Sequence, residues 1–569
     1  MSGKRVATSF LAAAMAVGTL SSAAFAENGT VDPADLNWEK PEETININVY
    51  AGEGDQEEFL ADENGGKAVM DEWLLENLNV TFDWQYMTGD MTERLNLMLA
   101  DNSYPSVITN MPDDMAEKFI AQGKAVDLTE YLDDMPNLTR RMGDYINMLK
   151  DDEGHIYKLS TLWGENPNVA GLDFGVRWDY YLELGEEKMY ETPQEYIEVM
   201  KKILANHPTN DAGQTTYAFT SDNQGKSFLN AMLGAYGFVN GYKLNEETGE
   251  FTHWLNTDEG LEIAKLVNQM YREGLIDPDY QSVDYETYIS KLANGQVLGN
   301  FGTWWYAWVG GHQTWAVQEG DDYDKNKRFA NVSVHGEGMS MEDTSLLTSN
   351  YVGSYRMIIT DKATEEEIQG IVKYLNWEAS ELGTFIMGFG APREENVWKI
   401  DDDGTWLFDD EIMNVDTKDT TYHTVKNHYA CEYWVAICGQ WLKSDGRSVF
   451  DKIDPRVDRV SIYDYWPVNE DGSFADEGIN ICWGNYTAPA KDTTMYQTTF
   501  NSRDMIATIK QMVDDTITSS WAEIINSASE EDCIAAFEAA RDNCNAMGLE
   551  ELTDYYENSY KANVEKYEG

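Results

Sequence analysis

Positive charge is scarce in this chain. Lys and Arg number 41 against 101 Asp and Glu in 569 residues, a formal net charge of −60 at pH 7. A surface of that sign repels phosphate backbones and anionic lipid heads, which argues against nucleic acid or a membrane surface as partner. Cysteine is sparse too. Cys431, Cys438, Cys482, Cys533 and Cys544 all lie in the last quarter of the chain. Their odd number and the lack of paired C-x-x-C spacing exclude a disulfide framework and a zinc knuckle. Among seven histidines the closest pair is His423 and His428. That spacing misses the i, i+4 pair of a zinc-protease helix, so no metal centre is expected from it. There is no G-x-S-x-G elbow, no Walker loop and no G-x-G-x-x-G after a strand, so nucleophile-elbow hydrolases and nucleotide-dependent enzymes lose their main support. Asp401-Asp402-Asp403-Gly404 imitates a calcium loop, but Asp410 stands where an EF-hand needs Glu, and a surface turn is expected. Glycoside hydrolysis survives this elimination, because two carboxylates roughly 5–10 Å apart suffice and sequence cannot locate such a pair.

The N-terminus is what the chain has in place of a membrane span. Lys4 and Arg5 precede the uncharged run Val6–Leu20, and Ala24-Phe25-Ala26 follows. That is the order of a secretory signal peptide cleaved after Ala26, and the run is shorter than the roughly 20 residues that span a bilayer. The mature protein is therefore expected outside the cytoplasm, in the periplasm or at the cell surface. Aromatic residues are abundant, 12 % of the chain, with 18 Trp and 33 Tyr. Flat rings with polar edges suit an amphipathic ligand such as a sugar, although most must be core residues.

Along the chain, residues 27–43 read as a polar leader and order is expected from Thr44. Ile45–Val49 alternates and ends in Ala51-Gly52-Glu53-Gly54-Asp55, a strand feeding a turn. A helix through Met70 and Leu74, a strand Val80–Tyr86, a helix over Leu95, Met98 and Leu99, and a strand from Val107 follow. This β-α-β-α-β order predicts a parallel, doubly wound α/β sheet. Thr192-Pro193-Gln194-Glu195 predicts a capping box and a helix start. Further helices are expected from Thr257 to Gly274 and from Thr364, the latter after a strand Tyr355–Thr360. No fixed-period repeat is present, which excludes solenoids and propellers.

Several segments, in order, resemble the extracellular solute-binding proteins of ABC importers, family 1, the carbohydrate binders related to maltose-binding protein. They are Ile45–Asp55, Leu95–Asp101 leading to Tyr104–Ile108, Gly154–Leu159, Val176–Gly185 with the Thr192-Pro193 helix start, and Gly295–Gly302 running into Thr303-Trp304-Trp305. Beyond Trp308 the likeness is diffuse. The resemblance implies a two-lobed periplasmic-binding-protein-like fold of type II, with ligand held in a cleft by hinge closure. By that analogy lobe one spans 44–157 and about 346–395, and lobe two spans 158–345 and about 396–569. It implies an oligosaccharide ligand, ABC permease subunits as partners, no cofactor, no catalysis and a monomer.

The same analogy selects site residues. Glu53 and Asp55 stand after the first strand, Trp304, Trp305 and Trp308 supply stacking faces, Trp163 is a second platform, and Arg177 and Asp179 are polar fixers. Each also has a structural role open to it: the tryptophans as core, and Arg177 as partner of Asp179. Two features depart from the family. Glu27 rather than Cys follows Ala26, so no lipid anchor is expected. The loop Asn206–Gly213 is poor in carboxylates, so no calcium is expected there. A secreted glycoside-acting enzyme and a binder of a non-sugar solute remain the competing readings.

Overall fold

The computed structural model describes residues 38–568 except 52–65, 87–89, 162–171, 320–323, 388–397, 401–405, 409–490, 501–503 and a few isolated positions. Its main elements are β1 (Ile45–Ala51), α1 (Gly66–Leu78), β2 (Val80–Tyr86), α2 (Met91–Asp101), β3 (Val107–Pro112), α3 (Asp113–Ala121), β4 (Leu159–Thr161), β5 (Asp173–Arg177), α4 (Pro193–Asn206), α5 (Lys226–Ala235), α6 (Asp258–Arg272), β6 (Gly299–Gly302), β7 (Phe329–Ala330), β8 (Tyr355–Ile359), α7 (Glu365–Glu378), α8 (Met505–Ile525), α9 (Glu530–Ala546) and α10 (Leu549–Glu568).

The first sheet has the order β2-β1-β3-β8-β4. β1 pairs in parallel with β2 and β3, as the β-α-β-α-β order requires. β8 runs antiparallel to both β3 and β4, so the sheet is mixed rather than wholly parallel. The correction has a simple cause: β8 arrives from a segment more than 200 residues later in the chain, and no crossover helix obliges it to run parallel. β1 buries both faces only toward its carboxyl end, from Val49 to Ala51. Ile47 and Val49 join a core with Leu74 and Leu78 of α1 and Ile371 and Leu375 of α7. Tyr50 joins Leu95 and Met98 of α2 and Met115 and Phe119 of α3 on the other face.

Trp38 packs on the first unit. Its indole donates to Leu78 O at 2.9 Å and packs edge-on against Trp377, so apolar burial extends the first unit into the stretch read as leader. β4 likewise lies just past residue 157, where the sequence placed the boundary between lobes.

The second sheet has the order β6-β5-β7 and is antiparallel. Its core gathers Phe174, Tyr196, Met200, Phe228, Ile263 and Phe301 with Val513, Trp521, Phe537 and Leu549 from α8, α9 and α10. A short ribbon, Thr348–Ser349 beside Lys491–Asp492, runs near the passage between the two units. α10 touches both: Tyr556 packs on Tyr242 in the second, and Tyr567 lies 4.9 Å from Tyr145 in the first.

The helix starts follow their caps. Thr192 Oγ1 accepts from Glu195 N at 3.3 Å, but the Glu195 carboxylate takes Glu191 N instead of Thr192 N, so the expected box is only half formed. Thr364 and Glu367 form the full reciprocal pair. Thr257 caps α6 through Gly260 N, and Gly274 beyond it takes φ +73°. Cys533 and Cys544 are free, buried thiols, pushed up to about 11 by burial. Cys431, Cys438, Cys482 and the Asp401–Gly404 turn lie outside the described residues. Among the described residues no helix is long and apolar enough to cross a membrane.

His253 couples this fold to pH. It is 5 % exposed, its Nδ1 accepts from Leu255 N at 3.3 Å, and burial lowers its pKa from 6.5 to about 3. In that window the unfolded chain binds a proton that the folded chain refuses, so stability falls as pH drops from about 6.5 toward 3, by at most about 1.4 kcal/mol per unit. Chemical denaturation between those limits should show a shallower acid slope in His253→Asn, whose amide oxygen still accepts from Leu255 N. An equal slope in both proteins would dismiss His253 as the titrating group.

Candidate functional site

Parallel strands present their carboxyl ends as a ligand edge, because helix N-termini and loops gather there. In the first sheet that edge holds the ends of β1, β2 and β3 and the start of β8. β3 carries an irregularity at this edge: Arg356 pairs with Met111 and Ile358 with Ile108, so Thr109 and Asn110 together oppose Met357. Asn110 sits in this bulge at φ +50° and is buried. Bulges of this kind re-aim a strand beside functional sites.

One step on, Asp113 opens α3 and gathers two cations. Arg356 Nε lies 2.5 Å and Lys158 Nζ 2.7 Å from Asp113 Oδ1, and Lys158 also reaches Glu117 at 2.5 Å. Burial would raise the Asp113 carboxyl, but the Arg356 and Lys158 charges override it and hold it below the usual carboxylate range. These three side chains line a cavity of about 680 Å³ between this edge and the segment Gln497–Phe500 ahead of α8, with Tyr157 and Phe500 as its aromatic walls. That volume falls in the range of small-ligand pockets, roughly 300–1,000 Å³.

In the second sheet the corresponding edge lies beyond β6. Tyr217 pairs in parallel with Val297, and Leu298 N and Gly299 N donate to Tyr217 O and Ala218 O. The loop Thr220–Gly225 therefore emerges at the same end as Gly302. There Tyr306 donates to Asp222 Oδ2 at 2.8 Å and packs against Tyr285 and Tyr288. Burial, then the bond to Asp222 and its charge, push the Tyr306 phenol well above its ordinary range, so it remains a donor at any physiological pH.

The predicted residues divide three ways. Trp304 lies in the helical turn Trp304–Ala307 directly after β6, with Trp305 beside it and Trp308 opening the next turn, so the backbone brings all three to the edge where Asp222 and Tyr306 meet. Glu53, Asp55 and Trp163 lie outside the described residues. Arg177 and Asp179 lie elsewhere. β5 runs antiparallel to β6, pairing Asp173 with Gly302, which carries Arg177 to the opposite end of the sheet. There Arg177 is 2 % exposed, holds Asp179 bidentately at 2.9 and 2.6 Å, and lies 4.2 Å from the Tyr180 ring and 4.5 Å from that of Trp315. The structure does not bring this pair together with Trp304.

The sequence reading missed Asn110, Asp113, Arg356 and Asp222, and it took Tyr306 only as part of the aromatic cluster Trp304–Trp308. Asn110 and Asp113 had a signal, because they end a strand and start a helix. Asp222 and Arg356 had none, because their partners are 84 and 243 residues away. The loop Asn206–Gly213 binds itself: Asn210 Oδ1 accepts from Ala212 N and Gln214 N. Among the described residues no group of three His, Cys, Asp or Glu is placed to hold a metal ion.

No protein-family model matches the chain. One curated relative, the fructooligosaccharide ABC transporter substrate-binding protein FusA of Streptococcus pneumoniae, is 24% identical over 246 residues, 41% of this chain and 45% of FusA. In sequence the chain thus matches somewhat less than half of that relative. In three dimensions the likeness runs through nearly the whole molecule. FusA in complex with kestose superposes with a TM-score of 0.61 at 17% identity, over 91% of this chain and 99% of FusA. The chain has the fold of the ABC-transporter solute-binding proteins. A human-milk-oligosaccharide (HMO) binding solute-binding protein from Bifidobacterium longum infantis, with a TM-score of 0.59 at 16% identity over 91% of this chain and 99% of its own, agrees. So does the alginate-binding protein AlgQ2, at 0.57 and 15% over 92% and 99%. The fold places a two-lobed α/β scaffold beneath both strand edges described above.

Proposed function

We propose that this protein is a non-catalytic, extracytoplasmic binding protein that captures an oligosaccharide between its two lobes and delivers it to an ABC permease. The observation that carries the reading is the fold match to FusA with kestose over 91% of this chain, together with the polar and aromatic groups at the carboxyl ends of β3 and β6. Lobe one comprises 44–157, extended by β4, with about 346–395; lobe two comprises the rest of 158–345 with about 396–569. Trp304, Trp305 and Trp308 stack on sugar faces, with Trp163 as a second platform. Asp222 and Tyr306 fix hydroxyls from lobe two, and Glu53, Asp55 and Asn110 do so from lobe one. Hinge closure then buries the ligand and presents a docking face to the permease. The chain works as a monomer, released by cleavage after Ala26 and without a lipid anchor.

A thermal-shift screen of the mature protein against neutral oligosaccharides tests this, because a ligand that prefers the folded, closed state raises the melting temperature by mass action. The expected result is a saturable rise with one glycan, which is recovered intact. Recovery of a cleaved glycan would replace binding by hydrolysis, and silence across the panel would move the ligand out of the sugar class.

A further inference from the structure

A second cavity, of about 340 Å³, shares Gln497 with the one at Asp113. Its volume falls at the lower end of the range of small-ligand pockets, roughly 300–1,000 Å³. Its lining places it at the cleft edge of lobe two. Leu172, whose N donates to Leu346 O at 3.3 Å, directly precedes Asp173, the residue that β5 pairs with Gly302. Asn230 lies about one turn into α5, which follows the loop Thr220–Gly225 at that same edge. The side-chain amides of Asn230, Asn240 and Gln497 and the Thr348 hydroxyl line the cavity beside Leu233 and Phe238. An amide both donates and accepts, as a sugar hydroxyl does, and an apolar wall suits the C–H face of a sugar ring.

Gln497 is built into the junction of the two cavities. Its N donates to Thr494 O at 3.3 Å, and Asn563 Nδ2 of α10 donates to Gln497 O at 2.7 Å and to Met495 O at 3.0 Å. Two residues on, Thr499 O accepts from the Tyr555 hydroxyl at 2.9 Å, and the Phe500 ring packs against Tyr555 and Tyr556. The backbone is thus held from α10 while the Gln497 side chain is exposed. A segment ordered before binding lowers the entropy lost when a ligand settles on it. We propose that the second cavity is a further sugar subsite, that Gln497 contacts the ligand where the cavities meet, and that the site takes an oligosaccharide long enough to occupy both. This rests on the oligosaccharide-binding reading above and adds the length of the ligand to it.

Calorimetric titration of the full mature chain compares trisaccharides of the fructo-, malto- and xylo- series with hexasaccharides of the same series. In at least one series the hexasaccharide should bind at least about tenfold more tightly, a difference of about 1.4 kcal/mol. Asn230→Phe fills the second cavity from an exposed helix position, and the ratio of hexasaccharide to trisaccharide affinity should fall to within about threefold of unity. Gln497→Ala removes the side chain at the junction and keeps its backbone bonds, and the same ratio should fall at least about threefold. Ligand-free melting temperatures check that each variant folds, and Gln497→Ala alone decides the matter if Asn230→Phe does not fold. Hexasaccharides that bind no more tightly than trisaccharides, or an unchanged ratio in either folded variant, overturn the inference and leave the binding-protein reading standing. Absence of binding by every sugar overturns the two together.

Discussion

Arg177→Ala should lower the unfolding free energy by about 3–5 kcal/mol while the surviving folded protein keeps its native affinity for ligand. The guanidinium is buried, its Nε and Nη2 are committed to Asp179, and it is flanked by the rings of Tyr180 and Trp315. Removing it leaves Asp179, whose side chain is 20% exposed, without its partner and opens space beside two aromatic faces. Burial opposes the Arg177 charge and the Asp179 carboxylate overrides that opposition, so the pair is stable as a pair and costly when halved. Denaturant unfolding measures the loss. The double variant Arg177→Met with Asp179→Asn should recover part of it, because neutralising both partners removes the stranded charge. If the single variant unfolds normally but binds poorly, the pair belongs to the ligand after all.

The second large effect is the reverse: loss of binding without loss of fold. On the proposed reading, replacing Trp304 or Trp305 by Ala removes a stacking face, a truncation of the kind that costs about 2–4 kcal/mol at the centre of an interface, or roughly 30- to 1,000-fold in affinity. The double variant should not bind measurably, and its ligand-free melting temperature should match that of the native protein. The helical turn that carries both residues follows β6 directly, at the edge where Tyr306 meets Asp222. A fall in melting temperature with affinity intact would return these rings to the core.

These two predictions separate residues that the sequence treated alike. Arg177 and Trp304 both belong to segments that resemble the same family, and both chemistries suit a sugar. Only strand direction distinguishes them. Antiparallel pairing of β5 with β6 sends the carboxyl end of one strand away from that of the other, and no local pattern in Val176–Gly185 encodes its partner's direction.

What the sequence determined by itself is local. Alternation placed β1 and β2, apolar spacing placed α2 and α4, and Thr192, Thr257 and Thr364 marked helix starts that the structure reproduces, because periodicity and capping act within a few residues. The excess of acids and the order of the family-like segments were equally legible. Tertiary structure decided the rest. It set β8 antiparallel within the first sheet, docked Trp38 on Leu78 and Trp377, bulged β3 at Asn110, joined Asp113 to Arg356, and set the Arg177–Asp179 pair at the end of the second sheet opposite Gly302. Each of these depends on which distant segment supplies the complementary surface, hydrogen bond or charge. That choice is made by packing the whole chain, and short-range patterns do not contain it.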